Sequence, residues 1–208
     1  MLPRIDNFRK NLIQLIMFHW QAFLTYIFIV AFTPGPNNIM SMNNAINKGF
    51  RKALPFNFGI FAGFIFVLIL CAVFSSLLFT LIPRIQLPMK ILGAAYILYL
   101  AIKPFLPSKK REAKDLSESF IAGAALQLIN PKLMIYGITA ISSFILPWYT
   151  EIHILVFFIF LLSFVGFACT LCWSFFGSLL SKFFGKYGKI INIVMALLLV
   201  YCAVSLFM

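Results

Sequence analysis

Between Asn11 and Asn47 the chain carries no Asp, Glu, Lys or Arg. A segment of that length without a formal charge cannot lie on a water-facing surface. Further apolar runs follow it, one of them interrupted by Lys90 and another by Lys132. A helix that crosses the hydrocarbon of a bilayer needs roughly 20 mostly apolar residues. The runs therefore predict six transmembrane helices, near 18–46, 54–82, 85–102, 119–146, 152–180 and 190–208. Hydrophobic residues make up 62% of the chain and charged ones 11%, whereas soluble domains are about 45–50% apolar and about 25% charged. That balance excludes a water-soluble core protein and predicts an all-α polytopic membrane protein.

Orientation follows from the basic residues, because cytoplasmic loops of membrane proteins carry the excess of Lys and Arg. Eleven lie in the segments after the first, third and fifth runs, and five lie at the N-terminus or near Arg84 and Lys90. The larger group marks the cytoplasmic side, which places both termini in the periplasm. The net charge of +12 then serves topology and contact with anionic lipid headgroups; nucleic acid is not an expected partner. Residues 1–17 resemble a signal peptide only superficially, since no small-residue cleavage site follows the first apolar stretch. They are expected to form an uncleaved N-terminal extension.

The polar stretch 103–118 divides the chain into two sets of three runs, 18–102 and 119–208. With an odd number of spans in each half, two halves of one fold would lie in opposite senses in the membrane. Inverted repeats of this kind place their binding site where interrupted helices of the two halves meet. Each half begins with such an interruption. The first run is broken at "TPGPNN", Thr33, Pro34, Gly35, Pro36, Asn37 and Asn38, and the fourth at "INPK", where Asn130, Pro131 and Lys132 follow Gln127 by three to five residues.

Both breaks carry the chemistry of a helix start. Thr33 and Asn130 are candidate N-caps, and Pro34, Pro36 and Pro131 suit a first helical turn, where a missing N–H removes nothing. The expectation is a pair of helix N-termini inside the membrane, whose free amides and dipoles attract an anion. Lys132 strengthens this. It is the formally charged residue placed well inside a predicted span, and a cation at that depth costs at least about 2.5–3.5 kcal/mol. Asp6, Glu112, Asp115, Glu118 and Glu151 all fall in predicted loops or at span ends. A substrate carboxylate is therefore the expected partner, with Asn37, Asn38, Gln127 and Asn130 supplying neutral hydrogen bonds. A pocket without an anion favours small neutral amino acids over lysine or arginine.

Other chemistries are weaker. "CTLC", Cys169 to Cys172, has the spacing of a thiol–disulfide electron carrier, but no cysteine lies on either broken helix. His19 and His153 sit far from it, so neither a metal site nor a cofactor is expected. An intramembrane hydrolase lacks an acid–base partner for Ser142 or Ser143. Two facing helix N-termini would also suit an anion-selective channel. "GIFAG", Gly59 to Gly63, has the small-xxx-small spacing of close helix packing, within the chain or in a homodimer.

At the two motifs the sequence resembles the lysine-exporter (LysE) type of amino-acid efflux proteins. The resemblance is carried by "FTPGPNNIM" at 32–40, "GAAYILYLAIK" at 93–103 and "INPKLMIYGITAISSFILP" at 129–147. The tail "INIVMALLLVYCAV", 191–204, is most similar to the cysteine and O-acetylserine exporter branch. The resemblance implies a six-helix exporter of small amino acids in a bacterial inner membrane, driven by the proton gradient.

Overall fold

A computed structural model describes residues 18–102, 119–184, 188–205 and Phe207. The predicted N-terminal extension, 1–17, and the predicted linker, 103–118, lie outside the described residues. The elements are α1 (Trp20–Phe32), α2 (Pro36–Lys48), α3 (Phe50–Val73), α4 (Ser75–Ile102), α5 (Phe120–Leu128), α6 (Pro131–Ile138), a π-helical stretch Thr139–Ile145, α7 (Ile152–Phe184) and α8 (Gly188–Ser205). Among the described residues there is no strand.

Helices α3 and α7 are each long and apolar enough to cross a membrane. Helix α5 and the run Pro131–Ile145 are together apolar enough to count as a third span if the two pieces form one crossing, and they are bent by 64° at the expected break. Helices α1 and α8 are shorter apolar elements, and in α4 the comparable stretch runs from Lys90 to Tyr99. One boundary differs from the sequence expectation. The apolar runs place the turn between the second and third spans at Pro83–Arg84, yet α3 ends at Val73, the turn falls at Phe74, and α4 runs continuously through both residues. Prolines interrupt membrane helices less severely than soluble ones, because neighbours re-satisfy the freed backbone groups.

Helix α3 is the axis of the packing, lying against α5, α6 and α7, while α2 packs along α7 and α4 along α8. Small residues make the closest crossing. A Cβ on Gly59 would overlap the carbonyl of Phe120, and one on Gly123 would overlap the carbonyl of Phe56. The two glycines thus let α3 and α5 touch backbone to backbone, and Gly63 lies against the side chain of Gln127. The small-residue face of "GIFAG" is occupied inside the chain. Between α2 and α3 the chain turns through Gly49, whose φ of 84° lies in the region that only glycine enters without strain.

Overpacking a core typically costs about 1–3 kcal/mol when side chains can shift. At Gly123 the obstruction is backbone, so Gly123→Val is expected to exceed that range. Thermal unfolding of the detergent-purified variant should show a large drop in melting temperature; a melting curve superimposable on the parent would refute the crossing.

Candidate functional site

The first break is built by proline chemistry. Pro34 has no N–H to continue α1, so the helix ends at Thr33, whose hydroxyl donates back to the Ile29 carbonyl at 2.6 Å. Thr33 is therefore the C-cap of α1 rather than the expected N-cap of α2. Gly35 is the N-cap of α2, Pro36 occupies its first turn, and Pro34 precedes both. Gly35 has extended backbone, φ −160° and ψ 175°, which any residue adopts; what a side chain there would meet is a close neighbour. A Cβ there would stand 3.0 Å from the Lys132 ammonium nitrogen and 3.1 Å from its Cδ.

The second break follows the expectation more closely. Pro131 fills the first turn of α6, and the Asn130 side-chain oxygen accepts from the amides of Lys132 and Leu133 at 3.1 and 3.4 Å. Asn130 is thus the N-cap, and it already satisfies two amides at the start of α6. No side chain caps α2. The two helix N-termini are unequal: the one at Asn130 is closed by its own cap, and at the one at Gly35 no side chain caps the amides of Asn37 and Asn38.

Amide side chains tie the breaks together. Asn37 donates to Gln127 Oε1 at 2.8 Å, and Gln127 Nε2 donates to Asn37 Oδ1 at 3.1 Å. Asn130 Nδ2 donates to the same Asn37 oxygen at 3.1 Å, and Gln127 also reaches the Gly123 carbonyl at 2.9 Å. Asn38 Nδ2 donates to the Ala31 and Thr33 carbonyls at 2.8 and 3.1 Å, closing the end of α1. All four residues are buried. Their hydrogen bonds go first to one another and to exposed helix ends, as buried amides in an apolar bundle must.

Lys132 completes the junction. Its ammonium donates to the Thr33 carbonyl at 2.7 Å, a favourable place for a cation because the helix dipole is negative at the C-terminus of α1. That partner is neutral. The ammonium thus keeps its formal charge and further donors beside the uncapped start of α2.

A cavity opens where these groups meet. It is lined by Gly35, Pro36, Asn37, Asn38, Asn130 and Lys132 among the expected residues; Thr33, Pro34, Gln127 and Pro131 support it without lining it. Its remaining walls come from residues the sequence does not single out: Val30 and Ala31 from α1, Phe64 from α3, Leu133 and Tyr136 from α6, and Gly166 and Thr170 from α7. These lie on uninterrupted apolar stretches, where a lining residue and a packing residue look alike. The space available to the centres of water-sized molecules is about 30 Å³, and each water needs about 10–15 Å³. In this conformation the cavity admits waters and must widen for an amino acid. None of the lining residues is a cysteine; Cys71, Cys169 and Cys202 are buried, the last two within electrostatic reach of Lys132, and Cys172 is exposed on α7.

On the α1 side the cavity is walled by rings. Tyr26 stacks on Tyr136 at 6.0 Å and on Phe144 at 5.4 Å, and Phe64 meets Tyr136 edge-on at 6.4 Å. Beyond them Phe18, Trp20, Phe23, Tyr149 and Phe158 form a second cluster with ring centroids 4.6–6.2 Å apart.

A family model described as "LysE type translocator" matches residues 28–208. Proteins named "Cysteine/O-acetylserine efflux protein" from Escherichia coli, Shigella sonnei and Shigella flexneri are each 41% identical over 187 residues, covering 89% of this chain and 96% of the relative. No solved structure matches the chain.

Proposed function

We propose that this chain, which belongs to the LysE type translocator family, exports small neutral amino acids of the cysteine and O-acetylserine kind across the bacterial inner membrane. The family and the relatives' names make it a membrane transporter rather than an enzyme. The single observation that carries the substrate class is Lys132. Its ammonium stands over the uncapped start of α2 with a neutral carbonyl as partner. A carboxylate is the group that satisfies both at once, accepting from the ammonium and from the Asn37 and Asn38 amides. The rest of the cavity offers neutral amides, a hydroxyl and rings, which suit a short uncharged side chain.

The helices belong, in our reading, to a six-span inverted repeat with both termini periplasmic. What supports it is the pattern of packing partners. Exchanging α1–α2 with α5–α6, α3 with α7 and α4 with α8 turns the α3–α5 contact into one between α7 and the first span. The same exchange relates α4–α6 to α8–α2, and α3–α4 to α7–α8. The driving force in this reading is the proton gradient.

The test is uptake of labelled O-acetylserine into inside-out vesicles from cells that make the protein. Saturable uptake, counter-exchange with unlabelled substrate and collapse on adding a protonophore are expected. A flux that rises linearly with concentration and shows no counter-exchange would identify a channel and overturn the proposal.

A further inference from the structure

Helix α2 is the least apolar helix of the bundle, "PNNIMSMNNAINK", yet ten of its thirteen residues are buried. Asn37, Ser41 and Asn44 recur along it at the spacing of one helical face. Asn37 lines the cavity, and the other two carry the same polar face away from it, toward Lys48. Facing them, α7 places Thr170 on the cavity wall and Ser174 one turn further on. There Asn57 of α3 donates to Ser174 Oγ at 2.8 Å, and Ser174 Oγ donates to the Ser41 carbonyl at 3.0 Å. One turn beyond, a Cβ on Gly177 would overlap the carbonyl of Met42, so α2 and α7 are in backbone contact.

This cluster is incompletely bonded. Ser41 Oγ, Asn44 Nδ2 and Asn57 Oδ1 have no hydrogen-bond partner, although Ser41 and Asn57 are 0% exposed and Asn44 is 6% exposed. Unpaired polar atoms are rare in folded interiors, and a helix interface built only to stay closed would be better served by apolar side chains. Three such atoms around one short hydrogen-bonded chain suit a surface that is closed in this conformation and opens to water in another.

We propose that Ser41, Asn44, Asn57 and Ser174 line the passage by which the amino acid reaches the cavity from the Lys48 side, with the Asn57–Ser174–Ser41 bonds as its latch. The inference rests on the exporter reading given above. The opposite exit is walled by aromatic rings, so the two ends of the route differ in chemistry: amides and hydroxyls receive a hydrated zwitterion, and rings part to release it.

The experiment uses the full chain with Cys71, Cys169, Cys172 and Cys202 replaced by alanine. Saturable O-acetylserine uptake is established first in the unaltered chain, where its absence would count against the exporter reading rather than the passage, and the cysteine-free parent is required to keep it. Ser41→Cys is then treated with a membrane-impermeant methanethiosulfonate in inside-out and in right-side-out vesicles. Modification in inside-out vesicles only, at a rate that changes when O-acetylserine is added, is expected. Adding Ser174→Ala, which removes both latch bonds, should raise that rate by at least about fivefold, the population shift that follows from losing even one buried hydrogen bond. Asn44→Cys gives the same readout should Ser41→Cys not fold. A folded variant that is unreactive in both preparations, reactive equally in both, or indifferent to substrate would overturn the proposal.

Discussion

Replacing Lys132 with methionine is expected to lower kcat/KM for amino-acid uptake by about 10- to 100-fold while leaving the folded protein at least as stable as the parent. The slower uptake follows from removing the ammonium that, in the proposed site, pairs with the substrate carboxylate. A hydrogen bond to a charged group contributes about 1.5–3 kcal/mol, and the amides of Asn37 and Asn38 remain to hold the carboxylate more weakly. The retained stability follows from no longer burying a cation. The ammonium's hydrogen bond goes to the neutral Thr33 carbonyl, and a cation at membrane depth costs at least about 2.5–3.5 kcal/mol. A structural lysine would behave in the opposite way, losing stability and transport together. Lys132→Arg keeps the charge but brings a wider head group into the space beside Gly35, where the lysine already stands close; it should recover part of the activity. The measurements are initial uptake rates over a range of O-acetylserine concentrations and thermal unfolding in detergent. Wild-type kinetics in the methionine variant would remove the ammonium from the site.

Asn37→Ala is expected to be the most destabilising polar change in the junction. Asn37 gives one hydrogen bond to Gln127 and receives one each from Gln127 and Asn130, so its removal leaves Gln127 Oε1 and Asn130 Nδ2 without their partner. Each buried group left unsatisfied costs about 1–3 kcal/mol, which for two groups predicts a loss of about 2–6 kcal/mol. Gln127→Leu replaces the other partner with an apolar group of similar length. In the double variant fewer orphaned atoms remain, so the two effects should be less than additive, with a coupling of about 1–2 kcal/mol. Strict additivity in thermal or chemical unfolding would mean that the amide pair does not bind the two breaks together.

The outlines of this junction are legible in the sequence because proline, glycine and asparagine act locally. Pro131 and Asn130 produce a capped helix start wherever they occur, and α6 begins where that chemistry places it. At "TPGPNN" the same reasoning is ambiguous. Two prolines separated by one glycine offer two starting points, and the choice of Pro36 makes Thr33 an end rather than a beginning. The turn at Phe74 is hidden for the opposite reason: nothing charged or helix-breaking marks it, while Arg84 and two prolines nearby resemble a loop. Phe64, Gly166 and Thr170 line the cavity through tertiary packing alone, so no window of sequence distinguishes them from their lipid-facing neighbours. The π-helical turn at Thr139–Ile145 follows from no local signal, since "TAISSFI" reads as ordinary helix.

The Lys132 ammonium also bears on how such a carrier would respond to the electric field across its membrane. A zwitterionic amino acid has no net charge, so the cavity carries the same charge loaded as empty. A full elementary charge crossing the field gains or loses about 2.3 kcal/mol per 100 mV, and a shift of Lys132 across part of it would scale that figure down. Voltage then biases the resting position of the helices equally with and without cargo, and discrimination between amino acids is independent of membrane potential.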